Sequence, residues 1–400
     1  MIVPGVLDLH GLGFERGAHL LVQQALKNTP PGGELGVTGA DPALVVHLTA
    51  WCRRQGHRVR EASDTDSGVR ALVVRGRADL DRWAGAVRAG GPGVDGIVAE
   101  PPSDWGLAAR GALVESGGPA TPFDITHRDL VWAEIAPALY ASAAASQWNP
   151  DTEVHWDAGE PLPDEVEDAV VQVMTYLVEN EQTALVVPAR LLARVHPHFR
   201  EVQQLLAVQA ADEARHMEVF TRRALLRRDE LGTSSVSGRE SLAGLVAEAD
   251  FSVASFLLSV LGEGSFLNLL DFLDKNAPDP VTRQVTRLAR RDEARHVAFG
   301  VAHLQHQAER DPEVRRRLRS AVERRYRALV DTAGLNQDVF DALVILAAGA
   351  WEPDAIGKGY DAVMALQSEM DEGRQRRLVH LGFPADEAAD LSALHTRNFM

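Results

Sequence analysis

Asp212-Glu213-Ala214-Arg215-His216 and Asp292-Glu293-Ala294-Arg295-His296 spell the same pentapeptide twice, each time within a run that reads as helix. About thirty residues before each copy stands an acid on an otherwise apolar stripe. Glu181 follows Val170, Met174 and Leu177 and precedes Leu185 and Pro188; Glu263 lies with Phe256, Val260, Phe266, Leu267 and Leu270. Residues three apart on a helix project from one face, so Glu213 with His216 can grip one metal ion, and Glu293 with His296 a second. Glu181 and Glu263, each alone on its helix, would supply the remaining carboxylates.

Four helices facing inward then contribute four carboxylates and two imidazoles, the ligand set of di-iron carboxylate bundles. Mixed carboxylate and imidazole ligands suit iron or manganese. A single Glu-x-x-His is commonly a solvated surface pair. Two copies, each preceded at similar distance by an acid in an apolar face, are a much stronger signal. Burying Glu263 among Phe and Leu without a cation would cost on the order of several kcal/mol. The competing reading, a purely structural bundle, requires Arg215 and Arg295 to neutralise these acids.

Outward from the repeat, Ala- and Leu-rich helical segments are expected near 127–147, 164–193, 199–229, 239–275, 279–308, 312–333, 337–350 and 354–371, with short helices to the end. The expected fold is mainly α: a four-helix ligand bundle over about 164–308 and extra C-terminal helices over 312–400, all within a domain of residues 127–400. Residues 1–76 differ, reading as a small two-layer β-α-β-α-β-β domain. Its strands lie near Val6–Leu9, Leu35–Val37, His57–Arg60 and Val69–Val74. Its helices run over Ala18–Leu26 and from an Asp41 cap with Pro42 at the first position. Residues 77–126, rich in Gly and Pro, are expected to be a linker with one short helix around Leu80 to Val87.

A chain of 400 residues with 45% hydrophobic and 24% charged residues is long enough for two folded domains. The formal charge of −16 argues against a nucleic-acid surface and gives no support for an anionic membrane. Cys52, the one cysteine, excludes an internal disulfide and a thiolate metal cluster. No signal peptide is visible, so a cytoplasmic setting is the expectation. Cys52 sits near the apolar face of its helix and reads as a buried, inert thiol. His196 and His198 read as loop packing, and Arg315, Arg316, Arg317 and Arg319 as a solvated helix face.

Residues of about 127 to 310 resemble the ferritin-like, ribonucleotide-reductase-related superfamily of di-iron carboxylate proteins. Asp-Glu-Ala-Arg-His-Val-Ala-Phe-Gly at 292–300 carries the match, with Trp148-Asn149-Pro150 and His155-Trp156 before the first ligand helix. The resemblance implies bridging roles for Glu213 and Glu293 and terminal roles for Glu181 and Glu263. The repeat suggests that Asp292 accepts a hydrogen bond from His216 and Asp212 from His296. Residues 5 to 75 resemble the TusA/SirA-like sulfur-carrier family through Leu7-Asp8-Leu9-His10-Gly11-Leu12, Asp41-Pro42 and Gly56-His57. That family's Cys-Pro-x-Pro is replaced here by Phe14-Glu15-Arg16-Gly17, which removes the persulfide chemistry and leaves a docking module or a structural remnant.

Within the superfamily, the radical tyrosine of reductases corresponds to Phe220 and the threonine of hydrocarbon monooxygenases to Leu267. The extra histidine of arylamine N-oxygenases corresponds to Ala289. The expectation is therefore an oxidase or oxygenase of another branch, using O2 or peroxide on a small-molecule substrate. Its cofactor would be two iron ions, or a manganese and an iron, and an external electron donor could supply it. Phe220, Phe256, Phe266 and Phe299 are candidate cavity walls. The C-terminal helices either close that cavity or form a homodimer interface. Metal storage and peroxide detoxification are the alternative functions.

Overall fold

The computed structural model describes residues 5–65, 68–77, 83–329 and 337–395. The chain falls into two compact units, Met1–Pro92 with Arg110–Pro119 and Gly93–Ala109 with Ala120–Met400. The stretch 77–126, read in the sequence as a linker, is divided between them.

The first unit runs β1 (Gly5–Asp8), α1 (Ala18–Lys27), β2 (Glu34–Gly39), α2 (Leu44–Arg54), β3 (Arg58–Thr65) and β4 (Gly68–Val74). The sheet order is β1-β2-β4-β3, with β1 parallel to β2 and the other pairs antiparallel. Gly17, at φ +100°, makes the left-handed turn into α1 that a side chain would resist. Val22, Leu26, Leu44, Leu48 and Trp51 bury one helical face against Val37 and Val73. Asp41 does not cap α2. Its Oδ1 accepts the Ala43 N–H at 2.9 Å, closing a turn before the helix starts at Leu44. Burial pushes the Cys52 thiol up to about 12, which keeps it protonated and unreactive.

The helix expected around 80–87 does not form where the chain is described. Residues 80–82 lie outside the described residues, and Val87–Arg88 (β5) pairs antiparallel with Leu113–Val114 (β6). So short an apolar run, followed by Gly90-Gly91-Pro92-Gly93, cannot propagate a helix.

Among its described residues the second unit is built of helices. Besides the single turn Pro150–Glu153, they are α3 (Ala136–Ala145), α4 (Asp164–Leu192), α5 (Arg200–Ala224), α6 (Val236–Ala247), α7 (Phe251–Lys275) and α8 (Pro280–Ala308). Then come α9 (Glu313–Leu329), α10 (Gln337–Ala348), α11 (Pro353–His380) and α12 (Ala385–Leu394). The expected helix 127–147 starts late, after a 3-10 turn at Arg128–Leu130. α5 stops at Ala224 rather than 229, and the end expected for α9, 330–333, lies outside the described residues. The single helix expected over 239–275 is two. Asp250 caps α7 by accepting the Ser252 and Val253 N–H groups at 2.9 and 3.0 Å, and Glu248 is extended. Within α7, Phe256–Glu263 is wound as a π-helix, a rare local form that often marks a functional site.

α4, α5, α7 and α8 form a ferritin-like bundle. Val170, Met174, Leu177, Phe220, Leu269, Leu270 and Val285 pack its interior. α7 is long and apolar enough to cross a membrane, yet 83% of its most apolar window is buried inside the protein, as suits a bundle's core helix. One end of the bundle is tied by Arg223 of α5. It donates to Glu167 of α4 at 2.6 Å, to Asp279, which caps α8, at 2.8 Å, and to Thr282 at 2.8 Å. The arginines at 316, 317 and 319 pair on the surface with Glu313, Asp311 and Glu387.

Candidate metal centre

Glu181 stands on α4, Glu213 and His216 on α5, Glu263 at the end of the π-helical segment, and Glu293 and His296 on α8. The structure brings all six together, none more than 4% exposed. They form two overlapping groups, Glu181, Glu213, His216 and Glu293, and Glu213, Glu263, Glu293 and His296. In each, one donor atom per residue lies within 4.8 Å of all the others. Glu213 turns Oε2 to His216 Nδ1 at 3.1 Å and Oε1 to His296 Nδ1 at 3.0 Å. Glu293 does the same in reverse, both at 3.3 Å. Glu181 approaches only the His216 side, at 3.5 Å, and Glu263 only the His296 side, at 4.0 Å. Two carboxylates thus span both halves and two serve one half each.

The outer face of each imidazole is held crosswise. His216 Nε2 lies 3.3 Å from Asp292, and His296 Nε2 lies 3.3 Å from Asp212. With Nε2–H donated to an aspartate, each Nδ1 lone pair is left aimed at the glutamates. Arg215 and Arg295 are engaged by these same aspartates: Arg215 contacts Asp212 and, at 2.9 Å, Asp292, while Arg295 reaches Asp212 at 3.3 Å and Asp292 at 2.5 Å. Trp148 Nε1 donates to Asp292 at 2.7 Å, and the Arg215 guanidinium stacks over the Trp148 ring.

The electrostatics follow from burial. Burial, then the charges of Glu293 and Glu213, raise Glu181 well above the usual carboxylate range. Burial and Glu293 do the same to Glu263. Burial alone would raise Glu213 as well, but the His296 charge and hydrogen bonds from both imidazoles hold it low. Both histidines are raised against the effect of burial, His216 by Glu181 and His296 by Glu213 and Glu293. Carboxylates packed this closely away from water repel one another, and cations between them would remove that cost. Glu181 Oε1 and Glu263 Oε2 are buried without a hydrogen-bond partner. Orphaned donor-set atoms converging in this way fit two divalent or trivalent cations.

A cavity adjoins the cluster between α4, α6 and α7, with about 20 Å³ open to a water-sized molecule. Of the four phenylalanines expected as walls, Phe266 lines it. The other three fill cores instead: Phe220 packs beside His216, Phe256 against the C-terminal helices, and Phe299 stacks on His303. Helical spacing identified them as inward-facing but could not separate core from cavity. His196 and His198 serve the loop: His198 Nε2 accepts the Val98 N–H, and His196 Nδ1 accepts the His198 N–H.

Sequence reasoning missed Gln209, whose amide donates to Glu263 at 3.0 Å, and Gln147, which donates to Asp212 at 2.9 Å. Gln209 precedes Glu213 by one helical turn, so its place on the ligand face was readable. Gln147 lies outside any regular element and gave no signal.

Residues 169–333 match the family model of the p-aminobenzoate N-oxygenase AurF. Ala289 stands where the sequence reading expects that branch's extra histidine, yet the similarity spans all six cluster residues. No curated protein matches the chain. Among solved structures, a variant of an R2-like ligand-binding oxidase with an aerobically reconstituted Mn/Fe cofactor is 17% identical. It covers 65% of this chain and 94% of its own, with a TM-score of 0.45. A variant with an Fe/Fe cofactor is 16% identical over 64% and 94%, TM-score 0.45. The R2-like ligand-binding oxidase from Sulfolobus acidocaldarius is 16% identical over 60% and 90%, TM-score 0.41. Likeness at this level assigns no residue a role.

Proposed function

We propose that the chain is a di-metal oxidoreductase that uses O2 to oxidise a small organic molecule. Two iron ions, or a manganese and an iron, would be held by Glu181, Glu213, His216, Glu263, Glu293 and His296. The observation that carries this reading is the set of four buried glutamates with no arginine among them, the two nearby arginines being engaged by Asp212 and Asp292. A structural bundle would spend those arginines on the glutamates. Similarity to an N-oxygenase family across 169–333 supports oxygen chemistry.

When bound, such a metal pair supplies O2 activation and oxidation of the substrate. The chain's own residues do the rest. Asp212 and Asp292 fix the tautomer of each histidine, and Gln209 holds the orientation of Glu263. Phe266 and its apolar neighbours keep bulk water from the glutamates. The first unit offers a docking surface for an electron-donating or substrate-carrying partner. That role is suggested by the resemblance of its sequence motifs to those of sulfur carriers.

Anaerobic loading with ferrous iron, followed by O2, tests the proposal. About two irons per chain, oxidised together with a transient visible absorbance and stoichiometric O2 uptake, are expected. Iron accumulating well beyond two per chain as a ferric mineral would instead establish storage.

A further inference from the structure

Glu263 is the last residue of the π-helical segment Phe256–Glu263, and it faces only the His296 half of the cluster. In such a segment N–H groups bond back five residues rather than four, as the Gly264 N–H does to the Ser259 carbonyl. Four-residue bonding resumes with the α-helix that starts at Gly264. The return from five to four passes over one carbonyl, here that of Val260. A buried carbonyl left over in this way needs a donor from elsewhere. Arg377 of α11 supplies it, donating its Nε–H to the Val260 carbonyl at 2.7 Å. The next carbonyl, that of Leu261, accepts the Ser265 hydroxyl at 2.7 Å.

Nothing else accounts for where this arginine lies. No carboxylate among the described residues pairs with it, and its Nη2 is buried without a hydrogen-bond partner. Its neighbours on α11 both have acids: Arg374 pairs with Asp371 at 3.6 Å and Arg376 with Glu372 at 3.4 Å. Burial, then repulsion from Arg374 and Arg376, lowers Arg377 to about 10, so the charge is kept at neutral pH at a cost to the fold. Two glycines make the room for it. A Cβ at Gly264 would overlap the guanidinium, and one at Gly373 would crowd Nη1. Gly264 directly follows Glu263, so the guanidinium sits against the backbone next to the ligand.

We infer that Arg377 is a positioning residue for the metal centre, an inference that rests on the two-metal reading above: its bond to Val260 locks the π winding that carries Glu263 round to the His296 half. Gln209 orients the carboxylate through the side chain, whereas Arg377 sets the backbone that presents it. Relaxing the segment into a plain α-helix would turn Glu263 about the helix axis relative to α8. The C-terminal helices thus brace the ligand helix from outside the bundle.

A double-mutant cycle tests this, with the ferrous affinity of the full chain read by anaerobic chelator competition. Arg377→Met should weaken the second iron about tenfold, and Arg377→Lys, which can still donate to the carbonyl, should recover most of that loss. On a Glu263→Gln background Arg377→Met should cost less than about twofold further, whereas on a Glu181→Gln background it should cost the full loss. A merely structural role would weaken both backgrounds alike, and that result overturns the inference. Hydrogen exchange of the metal-free chain gives a second readout: exchange at 256–264 should quicken in Arg377→Met and not in Arg374→Met. Unchanged exchange there also overturns it. If Arg377→Met does not fold, Gly264→Ala, which pushes the guanidinium off Val260 while improving helix propensity, should give the same pattern. Wild type and Arg377→Met taking up two irons equally well sinks the role of Arg377 and leaves the oxidase reading intact. A wild type that takes up none sinks that reading, and the inference with it.

Discussion

Replacing Glu181 by Gln should have opposite effects on the metal-free and metal-loaded chain. Donor atoms of Glu181, Glu213 and Glu293 lie within 4.8 Å of one another in a pocket closed to water. At an effective dielectric of about 20, two unit charges at that separation repel by about 3 kcal/mol. Burial and this repulsion are what raise Glu181, so the metal-free fold must either hold a proton there or bear the repulsion. The isosteric amide removes that cost. Glu181→Gln should stabilise the metal-free fold by about 1–3 kcal/mol, a rise in Tm of roughly 2–4 °C per kcal/mol for a domain of this size. With metal the order should reverse, because the variant lacks a ligand and loses part of the stabilisation that binding confers. Thermal unfolding by circular dichroism, with chelator and with ferrous iron under anaerobic conditions, measures both. The pH dependence has a definite sign. Groups raised in the fold, here Glu181, Glu263, His216 and His296, stabilise it below their unfolded values and lose that contribution as pH climbs through the raised ones. The metal-free wild type should therefore weaken as pH rises above the ordinary carboxylate and imidazole ranges, and the variant less so. A Glu181→Gln chain that is less stable without metal, or that keeps the whole metal-induced gain, would refute the reasoning.

Asp292→Asn removes the carboxylate facing His216 Nε2 and should lower metal affinity roughly 10–100-fold, read by chelator competition, with the helical content unchanged. At Gly300 an added Cβ would lie 2.4 Å from the Ser259 Cβ on the π-helical segment. Gly300→Ala should therefore lose about 1–3 kcal/mol to overpacking despite alanine's better helix propensity, and an unshifted urea midpoint would contradict that close approach. Asp279→Ala uncaps α8 and removes one of the two carboxylates that pair with the buried Arg223, Glu167 remaining, for an expected loss of about 1–3 kcal/mol in urea unfolding. Although burial alone would raise it, hydrogen bonds from Thr282 and Arg223 hold Asp279 low, so wild type should shed this contribution only as pH falls through that lowered value.

The cluster was legible because its code is local: a glutamate and a histidine three apart share a helix face whatever surrounds them, and the duplicated pentapeptide marks both copies. The crossed Asp212 and Asp292 pairing was readable for the same reason, since each aspartate sits beside its ligand glutamate. The first unit's element order was legible from alternation and from the Pro30–Gly33 break. What escaped depends on tertiary packing. The π-helical winding of Phe256–Glu263 leaves no periodic trace in so apolar a run. The break at Glu248–Asp250 hid behind Ala247 and Ala249, good helix formers on either side of Glu248. Whether a buried phenylalanine touches a cavity or a neighbouring core is decided by residues far away in sequence, and Gln147 reaches Asp212 from a loop.

The most direct test of the central claim is a crystal structure of the iron-loaded chain with anomalous data at the iron edge. Two peaks are expected, one beside Glu181 and His216 and one beside Glu263 and His296, with Glu213 and Glu293 touching both. A single peak, or irons bound elsewhere with these glutamates paired to Arg215 and Arg295, would contradict the account.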